Sequence, residues 1–352
     1  MKVLVTGGAG FIGSHVAAHF YKKGMEVTVC DNLSRPRTLK STVGDYSYNW
    51  NYLRKEFPTI RFRNLDVEDR QVVKRAARSA DLIVHAAGQV AVTASVVDPS
   101  KDFETNSRGT LNVLEAARLN DSTLLFCSTN KVYGENVNAI ALREEEHRYS
   151  LDDPLFRAGI PEEMPIDRTR HSPYGSSKLA ADIYVQEFAY TYGLKTGVFR
   201  MSCIYGERQF GVEDQGWLAW FIIATLTGKP ITIYGNGKQV RDVLYVNDLV
   251  DVFNRFADSK LSHAVFNIGG GVGNTLSLLE LLDLLEVETG KRARISFSDW
   301  RQADQRLYIS DIRKAQEKLG WKPTISPEEG VKRVLKWVQE HRELFNQSSD
   351  LP

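Results

Sequence analysis

The chain has 352 residues, 42% hydrophobic and 25% charged, and its 45 Lys+Arg against 44 Asp+Glu leave a formal charge of +1. At roughly one domain per ~150 residues, that length suggests about two domains, enough to bury a core without disulfides or metals. The near-zero charge excludes the electrostatic footprint of a nucleic-acid or anionic-membrane binder, and no apolar run approaches the ~20 residues that span a bilayer.

Met1 leads straight into a strand pattern over 2–6, with no signal-peptide segment, so the cytoplasm is the expected location. Residues 12–23 read as a helix, with Gly24 as its left-handed cap. The runs 26–30, 60–65, 82–86 and 124–128 read as the second to fifth strands, with a helix over 103–120 between the last two. A helix containing 179–192 then leads to a sixth strand at 195–200. This alternation predicts an α/β fold, a Rossmann doubly wound parallel sheet with a smaller C-terminal α/β substrate lobe. The second half is less regular. Residues 144–167 are charged and proline-bearing, 206–216 are polar and glycine-rich, and 276–289 and 327–341 read as amphipathic helices. The expected division is a Rossmann domain over 1–200 joined by 239–270, a lobe from 201–238 and 271–346, and a frayed tail over 347–352. Cys30, Cys127 and Cys203 are scattered and lack CxxC spacing, which predicts reduced thiols and no metal site.

The turn after the first strand carries Gly7, Gly10 and Gly13 around Phe11 and Ile12, in the spacing GxxGxxG. Glycine permits a tight turn and close approach of a pyrophosphate to the backbone, and the helix amino terminus adds free N–H groups. Asp31, followed by Asn32, ends the second strand. A carboxylate there accepts ribose hydroxyls and repels a 2′-phosphate, so the expected cofactor is NAD. Arg35 and Arg37 nearby leave some room for NADP. Asp66, with Val67 after it, reads either as an adenine acceptor or as an ordinary strand-terminal aspartate. Ala86, Ala87 and Gly88 are small enough to lie against a cofactor.

Tyr174 and Lys178 stand at i and i+4 at the start of a helix and share one face. A phenol titrates near ~10, so work as a base near neutrality needs a downward shift of roughly three units. A neighbouring ammonium and a positive nicotinamide ring both push that way, and Lys178 can also hold the nicotinamide ribose, so Tyr174 and Lys178 are expected among the cofactor-binding residues too. The third member is a hydroxyl at the end of the fifth strand, Ser128 or Thr129, of which Thr129 is favoured. The residues just after it are Asn130 and Lys131, not a carboxylate pair. Removal of a ring hydrogen as hydride is supported, and elimination of water is not. A hydride that leaves and returns on one cofactor gives epimerisation.

On these motifs the chain resembles the extended short-chain dehydrogenase/reductases, over nearly its whole length. Stretches such as Ser128-Thr129-Asn130-Lys131-Val132-Tyr133-Gly134, Arg208-Gln209-Phe210, Asp214-Gln215-Gly216-Trp217 and Asp304-Gln305-Arg306 resemble the CDP-paratose 2-epimerases. The resemblance implies tightly held NAD, a CDP-hexose inverted at carbon 2, and Thr129, Tyr174 and Lys178 as the catalytic triad. It implies that Asn106 lies near the cofactor, and that Arg241 and Arg301 hold the diphosphate. It also places Gln89, Ser128, Asn130 and Arg208 toward the substrate. Cys203 stands where many 4-epimerases carry an asparagine. A homodimer or homotetramer is expected through the 103–120 and 179–192 helices. The rival readings are a UDP-sugar 4-epimerase, a nucleotide-sugar reductase using loose NADPH, and a non-catalytic NAD-sensing regulator, the last opposed by retention of both Tyr174 and Lys178.

Overall fold

Each apolar run of the amino-terminal half becomes a strand, because alternate residues along it can be buried against helices on both faces. The computed structural model describes residues 1–36, 47–301 and 304–345; Arg37 and the 347–352 tail lie outside them. The strands in chain order are β1 (Lys2–Thr6), β2 (Glu26–Asp31), β3 (Arg61–Asn64), β4 (Leu82–His85), β5 (Thr123–Thr129), β6 (Leu142–Glu144), β7 (Tyr149–Leu151), β8 (Thr196–Met201), β9 (Cys203–Tyr205), β10 (Ile231–Tyr234), β11 (Val240–Tyr245), β12 (His263–Ile268), β13 (Thr275–Ser277), β14 (Ile295–Ser298) and β15 (Leu307–Tyr308). The main sheet has seven strands in the order β12-β8-β5-β4-β1-β2-β3, every pair parallel. The Rossmann expectation holds, with β12 as a seventh strand.

One face of the sheet packs on the helices Phe11–Lys22, Tyr48–Glu56 and Val246–Asp258 through residues such as Val16, Phe20, Leu53 and Phe253. The other packs on Arg70–Ala76, Gly109–Asn120 and Ser172–Tyr192 through Val73, Leu114, Ala181 and Val185. A separate core, with Phe221, Leu281, Val334 and Trp337, lies under the helices Trp217–Thr227, Leu278–Thr289 and Pro327–Glu340. Small sheets complete this part: β11 pairs with β9, β13 and β15, and β10 with β14. Residues 144–167, read as a loop, include β7, which pairs with β6. The helix expected over 103–120 is broken into Pro99–Phe103, a π-helical turn Glu104–Arg108, and Gly109–Asn120. Among the described residues no helix is long and apolar enough to cross a membrane.

His85, 1% exposed, lies with Nδ1 2.7 Å from the Thr6 hydroxyl and Nε2 3.0 Å from the Thr110 hydroxyl. Burial, helped by the Lys178 charge, pulls its pKa down to about 3. The unfolded chain takes up this proton near ~6.5, so stability present above that pH is lost as pH falls toward 3, at about 1.4 kcal/mol per pH unit. Urea unfolding at pH 6 and 5 should therefore show a slope shallower by about that amount in His85→Gln than in the parent. Equal slopes would remove His85 from the acid response.

Candidate active site

The strand order changes direction between β1 and β4, which opens a crevice at their carboxyl ends. Gly7, at φ +69°, turns the chain out of β1 there. A Cβ on it would lie 2.5 Å from the Ala87 nitrogen and 2.7 Å from the Ala86 carbonyl, and one on Gly13 would overlap the Gly7 carbonyl. The Phe11–Lys22 helix begins at Gly10 with no side chain capping its amino end. Its first N–H groups and dipole are thus available to an anion.

Asp31 stands at the end of β2. Its Oδ2 accepts from the Ala9 N–H at 2.9 Å and its Oδ1 from the Leu33 N–H at 2.8 Å. Burial pushes its carboxyl up, and these N–H groups oppose that. Arg35 donates to the Phe210 carbonyl and, at 2.6 Å, to Gln215 Oε1, so this cation is engaged by the 206–216 loop. Asn32 donates to Asp66 Oδ2 at 2.8 Å, which ties the ends of β2 and β3, and Asn112 holds the Val67 carbonyl at 2.9 Å. A glycine turn at an uncapped helix start, flanked by a carboxylate at the next strand end, fits the pyrophosphate and ribose of a dinucleotide.

The proton-handling residues meet where β5 ends against the Ser172–Tyr192 helix. The Tyr174 hydroxyl faces Thr129. Within the chain, burial dominates and pushes the Tyr174 phenol up to about 12, with Thr129 opposing it. The surrounding residues thus do not lower the phenol as the sequence pattern suggests; that task falls to a positive charge. Lys178 is buried and donates to the Cys127 carbonyl at 2.7 Å, with its ammonium 4.2 Å from the centre of the Phe126 ring. Burial pulls it down to about 8. The helix starts from a strained residue, Ser172 at φ +63°, and Gly134 lets the 169–171 segment pass closely, since a Cβ there would clash with the Arg170 carbonyl.

Three residues expected to touch ligand make hydrogen bonds within the chain. Asn106 accepts from the Gln89 N–H and donates to the Gln89 carbonyl, Asp102 and Ser177. The Gln89 amide donates to the Ala91 carbonyl and Asp102 and accepts from the Ala91 N–H. Ser128 donates to Asp182 at 2.6 Å. The reason is common to all three: a buried polar group must be paired, and the neighbouring backbone and carboxylates pair these. Asn106 and Gln89 thereby tie down the loop after β4, and Ser128 bonds the carboxylate that pairs with Arg200.

Arg241 and Lys131 gather around one acid. Arg241 donates to Asp304 at 2.8 Å, Lys131 lies 3.8 Å from the same carboxylate oxygen, and Arg301 also acts on Asp304 electrostatically. Burial would raise Asp304, but Arg241 and Lys131 outweigh it and hold the carboxyl below its usual range. Arg301 lies 3.9 Å over the Tyr234 ring and pairs with Asp214 at 3.1 Å. Asn130 joins this group by donating to Gln305 at 3.2 Å. Arg208 does not join it: its guanidinium lies over Tyr52, 4.2 Å from the ring centre, and acts on the buried His15. Stacking on an aromatic face is how the fold accommodates this buried cation. The sequence motifs assign Lys131, Asp304 and Gln305 no role, because their proximity comes from segments far apart in the chain.

The NAD dependent epimerase/dehydratase family is matched over residues 3–269. The CDP-paratose 2-epimerase of Salmonella typhi is 41% identical over 353 residues, 96% of this chain and 99% of its own. The UDP-glucose 4-epimerase of Thermotoga maritima, solved with UDP-glucose, superposes with TM-score 0.79 at 32% identity, covering 97% of this chain and 99% of its own. That of Thermus thermophilus, solved with NAD, gives TM-score 0.77 at 30% identity over 97% of this chain and all of its own.

Proposed function

The chain belongs to the NAD dependent epimerase/dehydratase family, and from that premise we propose that it inverts carbon 2 of a CDP-hexose through a transient 2-keto sugar. NAD is its cofactor. The observation that carries the reading is that the helix bearing Tyr174 and Lys178 packs on the end of β5, where Thr129 stands and Lys178 donates to the Cys127 carbonyl, at the same sheet edge as the glycine turn. The choice of carbon 2 and of a CDP sugar is supported by the 41% identity with the Salmonella enzyme over almost the entire chain. Cys203 supports it against a 4-epimerase. It accepts from the Trp217 indole at 3.2 Å and faces Arg241 and Lys131, and it offers no amide to the sugar.

Gly7, Gly10 and Gly13 receive the pyrophosphate and Asp31 the ribose hydroxyls. When bound, NAD would supply the hydride acceptor and a positive charge that favours the ionised phenol. Tyr174 takes the proton of the carbon-2 hydroxyl, and Thr129 steadies the developing carbonyl oxygen. Lys178 favours the ionised phenol through its positive charge. The 2-keto sugar then presents its other face, and Tyr174 gives the proton back. Arg241 and Arg301 hold the diphosphate as fork donors while the ring turns, with Arg241 exchanging Asp304 for phosphate oxygens. The helices Gly109–Asn120 and Ser172–Tyr192 leave Leu119, Ile183, Tyr184 and Tyr190 exposed, which supports a homodimer or homotetramer built on them.

Incubation with CDP-, UDP-, GDP- and dTDP-hexoses followed by product NMR tests the substrate. With the CDP sugar deuterated at carbon 2, the inverted product should keep its deuterium, and turnover in heavy water should add none at carbon 2 or carbon 3. A hydrogen that travels as hydride never meets solvent. Solvent deuterium at the inverted centre would defeat the mechanism. Retained label with inversion at carbon 4 would keep the mechanism and reject the carbon-2 assignment.

A further inference from the structure

Three buried polar side chains converge on a carboxylate that the reaction does not use. Asp102, 1% exposed, lies on the short helix Pro99–Phe103, which packs on Ser172–Tyr192. Its Oδ1 accepts from Gln89 at 2.7 Å and from Asn106 at 3.2 Å, and its Oδ2 accepts from the Ser177 hydroxyl. Ser177 also accepts from Asn106 at 3.0 Å and lies 3.1 Å from the Tyr174 carbonyl. Burial pushes the Asp102 carboxyl up, and the Ser177 and Gln89 hydrogen bonds, the Lys178 charge and the Asn106 hydrogen bond oppose that.

A buried anion needs an opposite charge close by. Lys178 is the buried cation next to Ser177, and its contacts, the Cys127 carbonyl and the Phe126 ring, are not anions. Two carboxylates act on it, Asp182 and Asp102. Asp182 is already held by Arg200 through two hydrogen bonds of 3.0 Å and accepts from Ser128 and Gln186 as well. That leaves Asp102.

We propose that Asp102 is a positioning residue of the proton-handling pair: through Ser177 and Asn106 it fixes the first turn of the Ser172–Tyr192 helix, and its charge keeps the Lys178 ammonium protonated beside Tyr174. The inference rests on the reading of Tyr174 and Lys178 given above. Tyr174 faces Asp102, together with Thr129 and Cys127 from β5. Lys178 faces Cys127, Asp102, Asp182 of its own helix, and His85 of β4. The neighbouring helix Val92–Val97 brings the Ser95 hydroxyl to the Tyr174 N–H and carries no titratable side chain.

Asp102→Asn keeps the shape, and its new amide can donate to Ser177, whose hydroxyl can turn to the Tyr174 carbonyl. In [6-13C]lysine-labelled protein, the resonance that Lys178→Met removes should titrate near 8 and move down by about one pH unit in Asp102→Asn. The alkaline limb of kcat/KM should move the same way, because loss of an anion makes the ammonium easier to deprotonate. Ser177→Ala keeps the charge and removes the tether. It should leave the Lys178 titration within about 0.3 unit and lower kcat about tenfold with KM unchanged. A Lys178 titration unmoved by Asp102→Asn, or a uniform loss of activity with both limbs in place, would overturn the assignment. Should Asp102→Asn fail to fold, an undiminished kcat in Ser177→Ala overturns it instead. A fully active Tyr174→Phe would defeat the base reading; an inactive Tyr174→Phe beside an unmoved Lys178 removes only Asp102.

Discussion

Tyr174→Phe should retain NAD, released near one per chain on denaturation, and lose turnover by ~10²–10⁴-fold, the usual cost of removing a general base. The ring keeps its packing, so the cofactor cradle around Gly7, Gly13 and Asp31, which Tyr174 does not build, stays intact. What disappears is the hydroxyl that faces Thr129. Burial pushes this phenol up to about 12, so its activity near neutrality depends on positive charge brought beside it. Lys178 sits one helical turn away, with burial pulling it to about 8. Activity should therefore rise with pH as the phenol ionises and fall as Lys178 loses its proton; in Tyr174→Phe the rising limb should be absent from the residual rate. Full activity, or an unchanged rising limb, would show that another group takes the proton. Release of mainly NADP from either protein would overturn the reading of Asp31.

Asp182→Ala should destabilise the fold by about 3–5 kcal/mol, the range for stripping one partner from a buried ion pair. Arg200 and Asp182 have side chains 5% and 0% exposed and meet through two parallel hydrogen bonds. Arg200 further donates to the Tyr133 hydroxyl at 3.1 Å and to the Glu162 carbonyl at 3.3 Å. Removal of Asp182 leaves a guanidinium under the sheet without its counter-charge, and takes from Ser128 the acceptor that holds it next to Thr129. Asp182→Leu combined with Arg200→Met should recover most of the loss, since an apolar pair of similar volume leaves no stranded charge. Urea unfolding of the single and double variants checks this. A single-variant loss below about 1 kcal/mol, or a double variant no better than the single, would mean that water or a local shift satisfies Arg200.

The parts legible in the sequence are those set by near neighbours in the chain. β1, the Gly7–Gly13 turn and the start of the first helix follow from residues within a dozen positions, since turn geometry and apolar alternation are local properties. The i, i+4 spacing of Tyr174 and Lys178 is likewise local, which is why their shared face was readable. β12 is not distinctive in the sequence because His263–Ile268 resembles other short apolar runs. The π-helical turn at Glu104–Arg108 is defined by backbone hydrogen bonds one residue longer than those of an α-helix, and residue type does not encode that choice.

Which polar groups face outward was decided by tertiary structure. Gln89, Asn106 and Ser128 share motifs with residues expected to meet ligand, yet buried carboxylates at Asp102 and Asp182, reached from other segments, claim their hydrogen bonds. The same holds for Lys131, Arg241 and Asp304, drawn from the 3-10 helix Asn130–Ala139, β11 and a loop into one charged group. The sequence by itself determined the residue types, the strand–turn–helix that receives a dinucleotide, and the Tyr174–Lys178 pair. Only the folded chain decided the partners, because a hydrogen bond or an ion pair between distant segments depends on where burial removes water, and no local pattern encodes that.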